Sequence, residues 1–115
     1  MVKAKSAIES QKRMAEVAKQ IVEKVSEHFP IIEVRVFGSR ARGDYLDTSD
    51  LDLIFVFEKL DAPKIELVQK ISRFIKGNVD FLVMQKDEAQ NSALVKSSKL
   101  LWDKQKGFDL TVFEC

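Results

Sequence analysis

The chain predicts a single mixed α/β domain, of the α+β kind, in which helices cover a mixed sheet of three to four strands. Three observations predict it. The first is a helix-period opening: Ile8, Ala15, Ala18, Ile21, Val22 and Val25 recur at spacings of three and four, with Lys and Glu between them. The second is a pair of short apolar runs, Ile31–Phe37 and Leu51–Phe57, of strand length and rich in β-branched or aromatic residues. The third is a further helical pattern followed by a third apolar run, the order expected of a crossover between parallel strands.

Each element has a local reason. The opening helix is predicted over 6–28, a stretch without Gly or Pro. Pro30 ends it, because the ring of a proline disfavours helical geometry in the residue before it, here Phe29. Residues 38–43 form a turn leading into a short helix, and 44–49 a polar loop. Leu51–Phe57 is apolar throughout except for Asp52, as expected of a central strand covered on both faces. Pro63 fits the first turn of a helix over 63–76, whose face carries Ile65, Val68, Ile71 and Ile75. Gly77-Asn78 stops it. The third strand covers 79–84. Asp87 is placed to cap a helix over 87–96, and Lys99–Asp103 reads as a short edge strand. From about residue 105 the pattern weakens, so Thr111-Val112-Phe113 is expected either to pair or to lie in an irregular tail.

Composition narrows the class. A length of 115 residues suits one domain, 1–115. Hydrophobic residues at 45% and charged residues at 32% describe a folding globular chain, not a disordered one. Lys and Arg number 19 against 18 Asp and Glu, so no basic excess argues for long nucleic acid as a ligand. Cys115 is the only cysteine, which leaves no disulfide or thiolate metal site within the chain. The opening residues lack a signal-like apolar core, and no run approaches the ~18 apolar residues of a membrane span. A cytoplasmic protein is the expectation.

The chemistry concentrates in residues 36–57. An apolar run ends in Gly38-Ser39, and ten residues later Asp50-x-Asp52 opens the next. Gly-Ser after a strand offers backbone N–H groups to a phosphate, with Ser39 at the positive end of the following short helix. Arg40 and Arg42 are candidates to neutralise phosphate charge. Arg40 is otherwise expected at the surface, and Arg42 could instead pair with Asp44 or brace the loop. Carboxylates at i and i+2 on a strand project to the same side and can share divalent cations. If one site uses both motifs, the first two strands are antiparallel. A crossover then makes the third strand parallel to the second and sets Asp80 beside Asp50 and Asp52. Three such carboxylates repel one another, so at least one should have a raised pKa without a cation. Two Mg²⁺ ions are the cofactor expected there, with Asp50 and Asp52 as shared ligands and Asp80 as ligand or base. Tyr45 lies between the motifs, as a stacking residue or an exposed loop aromatic. Lys86, Lys96 and Lys99 read as a solvated face, His28 as a helix-end residue, and Trp102 and Phe108 as packing or interface residues.

Taken together, Val36-Phe37-Gly38-Ser39-x-Ala41-Arg42-Gly43-Asp44, Ser49-Asp50-Leu51-Asp52-Leu53 and Val79-Asp80 resemble the nucleotidyltransferase superfamily that includes DNA polymerase beta. Within it, the chain resembles the small, stand-alone minimal nucleotidyltransferases. The resemblance covers roughly residues 30–84. It implies a palm-like mixed sheet, two Mg²⁺ ions, and transfer of a nucleoside monophosphate, AMP from ATP above all, to a hydroxyl. It also implies kinship with the antitoxin half of toxin–antitoxin modules whose partner is a helical HEPN RNase. The acceptor could then be a hydroxyl of that partner. A non-catalytic antitoxin that silences the RNase by stoichiometric contact is the alternative. Assembly with further copies of itself is compatible with either.

Overall fold

The computed structural model describes residues 4–113. Helix α1 (Lys5–His28) leads into β1 (Ile31–Phe37), the short helix α2 (Ser39–Arg42) and β2 (Leu51–Phe57). Helix α3 (Lys64–Ser72) crosses to β3 (Val79–Gln85), which runs into α4 (Lys86–Gln90) and α5 (Ala93–Lys96). Strands β4 (Lys99–Asp103) and β5 (Gly107–Phe108) follow, and a 3₁₀ turn, Leu110–Phe113, ends the described chain. The sheet has five strands in the order β3-β2-β1-β4-β5. β2 and β3 are parallel and the other neighbours antiparallel. The mixed sheet is thus as expected, with β5 added to the predicted strands.

Sequence sets the C-terminal end of α1. Its C-cap, Phe29, is extended (φ −134°, ψ 144°) because Pro30 follows. Its buried stripe carries Ala7, Ala18, Ile21, Val22 and Val25, together with two polar residues, Ser10 and Gln11. Helix α3 is shorter than predicted. After Ser72 the chain tightens into i→i+3 bonds, Phe74 N–H to Ile71 O (2.9 Å) and Ile75 N–H to Ser72 O (3.2 Å).

The predicted helix over 87–96 is in fact two. Gln85, not Asp87, caps α4, in a capping box with Glu88. Asp87 lies in the first turn instead, and its carboxyl is held below the usual range by the Gln85 side chain and the Glu88 amide. Ser92 then restarts the chain, accepting the Val95 N–H (3.4 Å) as the cap of α5. Nor is β4 an edge. Asp103 Oδ1 accepts the amides of Gln105 (2.8 Å) and Lys106 (3.3 Å), and Gly107 takes a left-handed φ of 80°, so the chain turns back and β5 pairs with β4. Thr111-Val112-Phe113 does not pair. It forms the 3₁₀ turn, with Asp109 accepting the Thr111 N–H (3.1 Å) and Val112 and Phe113 buried.

The two faces of the sheet are covered unequally. On β2, Leu51, Leu53, Phe55 and Phe57 point to one face. There they join Val34, Val36, Val83 and Leu101 and the apolar stripes of α1 and α3 in the main core. Ile54 and Val56 point to the other face and pack with Met84, Ala89, Leu94 and Val95, under α4 and α5. That second cover is short. It leaves Leu82 of β3 41% exposed, and toward the N-terminal ends of β2 and β3 the same face carries carboxylates. No helix among the described residues is long and apolar enough to cross a membrane.

Candidate active site

Register brings the predicted residues together. Phe37 of β1 is opposite Asp52 of β2, and Asp52 is opposite Asp80 of β3. Adjacent strands lie about 4.8 Å apart, so Asp52 and Asp80 stand side by side on the less covered face. Asp50, two residues before Asp52, precedes the strand on the same side of the alternation. Asp50 and Asp80 are exposed, whereas Asp52 is half-buried. Burial pushes the Asp52 carboxyl above the ordinary range. The charges of Asp80 and then Asp50 push it the same way, and Arg42 opposes them. The row is open: among the described residues, no three His, Cys, Asp or Glu side chains form a group that could hold a metal ion.

Gly38 is fixed by this row. Its backbone (φ 74°, ψ −157°) occupies a region essentially reserved for glycine. A Cβ placed there would come within 2.4 Å of Asp52 Oδ2. The bend therefore needs a glycine both for its own geometry and for the carboxylate it faces. After it, Ala41 and Arg42 both donate their amides to Gly38 O (3.2 and 3.0 Å). The N–H groups of Ser39 and Arg40, at the start of α2, have no intrahelical acceptor. Ser39 is half-buried at this bend, and Gly43 closes the turn with a left-handed φ of 91°.

Arg42 is exposed, with 60% of its side chain open, and its Nε donates to Asp44 Oδ2 at 3.3 Å. A pair this exposed holds its partners weakly, so the guanidinium is available to a ligand near Asp52.

Arg40 corrects the sequence reading. It was expected at the surface, with phosphate contact as its functional role, but it is 1% exposed and faces inward. Its Nε donates to Ser49 O (3.1 Å). Its terminal nitrogens donate to Ser49 O (2.7 Å), Asp47 O (3.4 Å), Ser10 Oγ (2.9 Å) and Gln11 Oε1 (3.0 Å). Gln11 Nε2 returns a bond to Arg40 O (3.3 Å), and Ser10 Oγ donates to Asp47 O (2.8 Å). The guanidinium also lies 4.9 Å from the centre of the Tyr45 ring. Burial lowers the Arg40 pKa, with nearby Tyr45 acting against that. Tyr45 is likewise buried, not an exposed loop aromatic. The missed residues are therefore Ser10 and Gln11, whose signal was polar side chains within the apolar stripe of the opening helix.

The remaining candidates lie outside this cluster. His28 is exposed, its Nδ1 2.9 Å from Lys24 O and its ring against Phe74. Lys86, Lys96 and Lys99 are exposed, and Lys86 pairs with Glu58 at 3.7 Å. Trp102 and Phe108 pack against the main core.

The sequence matches the nucleotidyltransferase domain family over residues 18–104. It is also similar to a candidate nucleotidyltransferase from Sulfolobus solfataricus of known crystal structure. The two share 51% identity, the match covers 96% of this chain and 98% of that one, and the TM-score is 0.86.

Proposed function

The chain belongs to the nucleotidyltransferase domain family, and from that premise we propose that its aspartate row serves metal-dependent transfer of a nucleoside monophosphate from a nucleoside triphosphate to a hydroxyl. One observation carries the reading. Asp52 is wedged between the Gly38 bend and Asp80, and its carboxyl is raised by burial and by two like charges. A carboxylate in that position gains from a cation.

The donor set is all oxygen, which suits Mg²⁺ better than softer metals. Mg²⁺ is usually held by one or two carboxylates plus substrate phosphates, so an open row fits a cation that arrives with its nucleotide. Asp50 and Asp52 would hold it, and Asp80 would face the acceptor as ligand or base. When bound, Mg²⁺ supplies charge neutralisation at the triphosphate and at the leaving pyrophosphate. The chain's own groups do the rest. Amides at the Gly38-Ser39 bend and the Arg42 guanidinium orient the phosphates. Asp80 lies beside the attacking oxygen and helps remove its proton as that oxygen bonds to the α-phosphorus and pyrophosphate leaves.

ATP is the proposed donor, and a hydroxyl on a helical protein partner of the HEPN type the proposed acceptor. A module that binds its partner without transfer is the second reading. Co-expression with the product of a neighbouring gene, followed by intact mass, separates the two. A gain of one or more AMP units on the partner, lost in Asp50→Asn/Asp52→Asn, supports transfer. A stable complex of unchanged masses rejects it in favour of sequestration.

A further inference from the structure

We propose that Arg40 is a positioning residue for Asp50, and that the first turns of α1 complete the site through it. The inference rests on the reading of the aspartate row as a cation-binding centre. Asp50 itself precedes β2 and is exposed. The residue before it is held firmly. Ser49 O accepts two bonds from the Arg40 guanidinium, at 2.7 and 3.1 Å. Asp47 O, two residues earlier, is held by Ser10 Oγ and by Arg40. Ser49 Oγ also accepts the Leu46 amide (2.8 Å), which closes the loop on itself.

Arg40 is placed in turn by α1. Gln11 binds it at both ends, accepting from the guanidinium and donating to its carbonyl. One side chain thus spans the two motifs. Its backbone follows the Gly38-Ser39 bend, and its guanidinium grips the loop that delivers Asp50. Ser10 and Gln11 lie before residue 18, where the family match begins. That part of the scaffold is supplied by sequence outside the matched domain.

A planar guanidinium with five donors can hold Gln11, Ser10 and two loop carbonyls together, whereas a lysine ammonium cannot reproduce that fork. Loss of groups that orient metal ligands typically costs roughly 10–100-fold in metal affinity. Arg40→Lys, Gln11→Leu and Ser10→Ala should therefore weaken Mn²⁺ binding while the sheet stays folded.

The test uses the full chain. Mn²⁺ affinity is read by electron paramagnetic resonance, and loop order by amide exchange over residues 44–51. Tyr45 is the only tyrosine, so fluorotyrosine labelling gives a single ¹⁹F line beside Arg40. In Arg40→Lys we expect that line to shift, exchange to rise over 44–51 but not over 53–57, and Mn²⁺ affinity to fall about tenfold or more. Methylguanidinium should restore part of the affinity to Arg40→Ala. Faster loop exchange with unchanged Mn²⁺ affinity would show a brace without influence on the site and overturn the proposal. So would no change in either readout. If the wild type binds Mn²⁺ and only the Asp50 and Asp52 variants lose it, the aspartate reading stands and this inference fails. If the wild type binds none, both fail.

Discussion

The two faces of β2 differ in what covers them, and that difference separates stability from chemistry. Leu51, Leu53, Phe55 and Phe57 lie under two helices and are at most 1% exposed. On the alternate positions, Ile54 and Val56 lie under two helices of five and four residues that reach only part of the face, and Asp52 stands on its less covered part. One strand therefore anchors the core on one side and presents a carboxylate on the other. The period of two makes this possible, because neighbouring residues can serve opposite demands without compromise.

The largest expected effect lies on the closed face. Phe55 is fully buried and meets Phe81 edge-on, with ring centres 5.6 Å apart. Phe55→Ala should cost about 3–5 kcal/mol, measured by urea unfolding. A loss of the same size for Leu82→Ser, on the open face, would break the comparison.

Gly38→Ala comes next. The positive φ alone should cost about 1–3 kcal/mol. The new Cβ would also push the Asp52 carboxylate aside, so nucleotide affinity should fall by more than stability does. Parallel thermal unfolding and titration distinguish the two losses.

Asp52 gives an effect of opposite sign. Its carboxyl titrates above the usual range in the fold, chiefly through burial and then through Asp80 and Asp50. The folded protein thus holds that proton more tightly than the unfolded chain does. Ionised Asp52 lowers stability as pH rises from about 4, the ordinary carboxyl value, through its raised folded value, and the penalty persists at neutral pH. Asp52→Asn should raise the Tm at pH 7 and lose that advantage below about pH 4. A lower Tm at neutral pH would contradict the strain assigned to the row. The smallest effect is expected for Leu82→Ser, within about 0.5 kcal/mol, since the side chain is already 41% exposed.

Much of this was legible in the sequence because local patterns and one geometric constraint carried it. Gly38-Ser39, Asp50-x-Asp52 and Asp80 sit at strand ends, and a shared site forces the β1–β2–β3 topology that the structure has. Part of what stayed hidden depended on distant partners, and part on local turn and cap chemistry. Arg40 reads as a surface cation beside a phosphate bend. Only the packing of Ser10 and Gln11, 30 and 29 residues earlier, turns it inward. Tyr45 is buried with its ring against the Arg40 guanidinium. The C-terminal hairpin depended on turn chemistry at Asp103 and Gly107, spread over five residues without an apolar pattern to mark it. The break between α4 and α5 rested on Ser92, a cap signal masked by the helical propensity around it.

Isothermal titration of ATP into the wild-type chain, with and without Mg²⁺, tests the central claim most directly. The account predicts binding that needs Mg²⁺ and disappears in a folded Asp50→Asn/Asp52→Asn variant. Equal binding with the metal chelated, or no binding by the wild type at millimolar ATP, would contradict it.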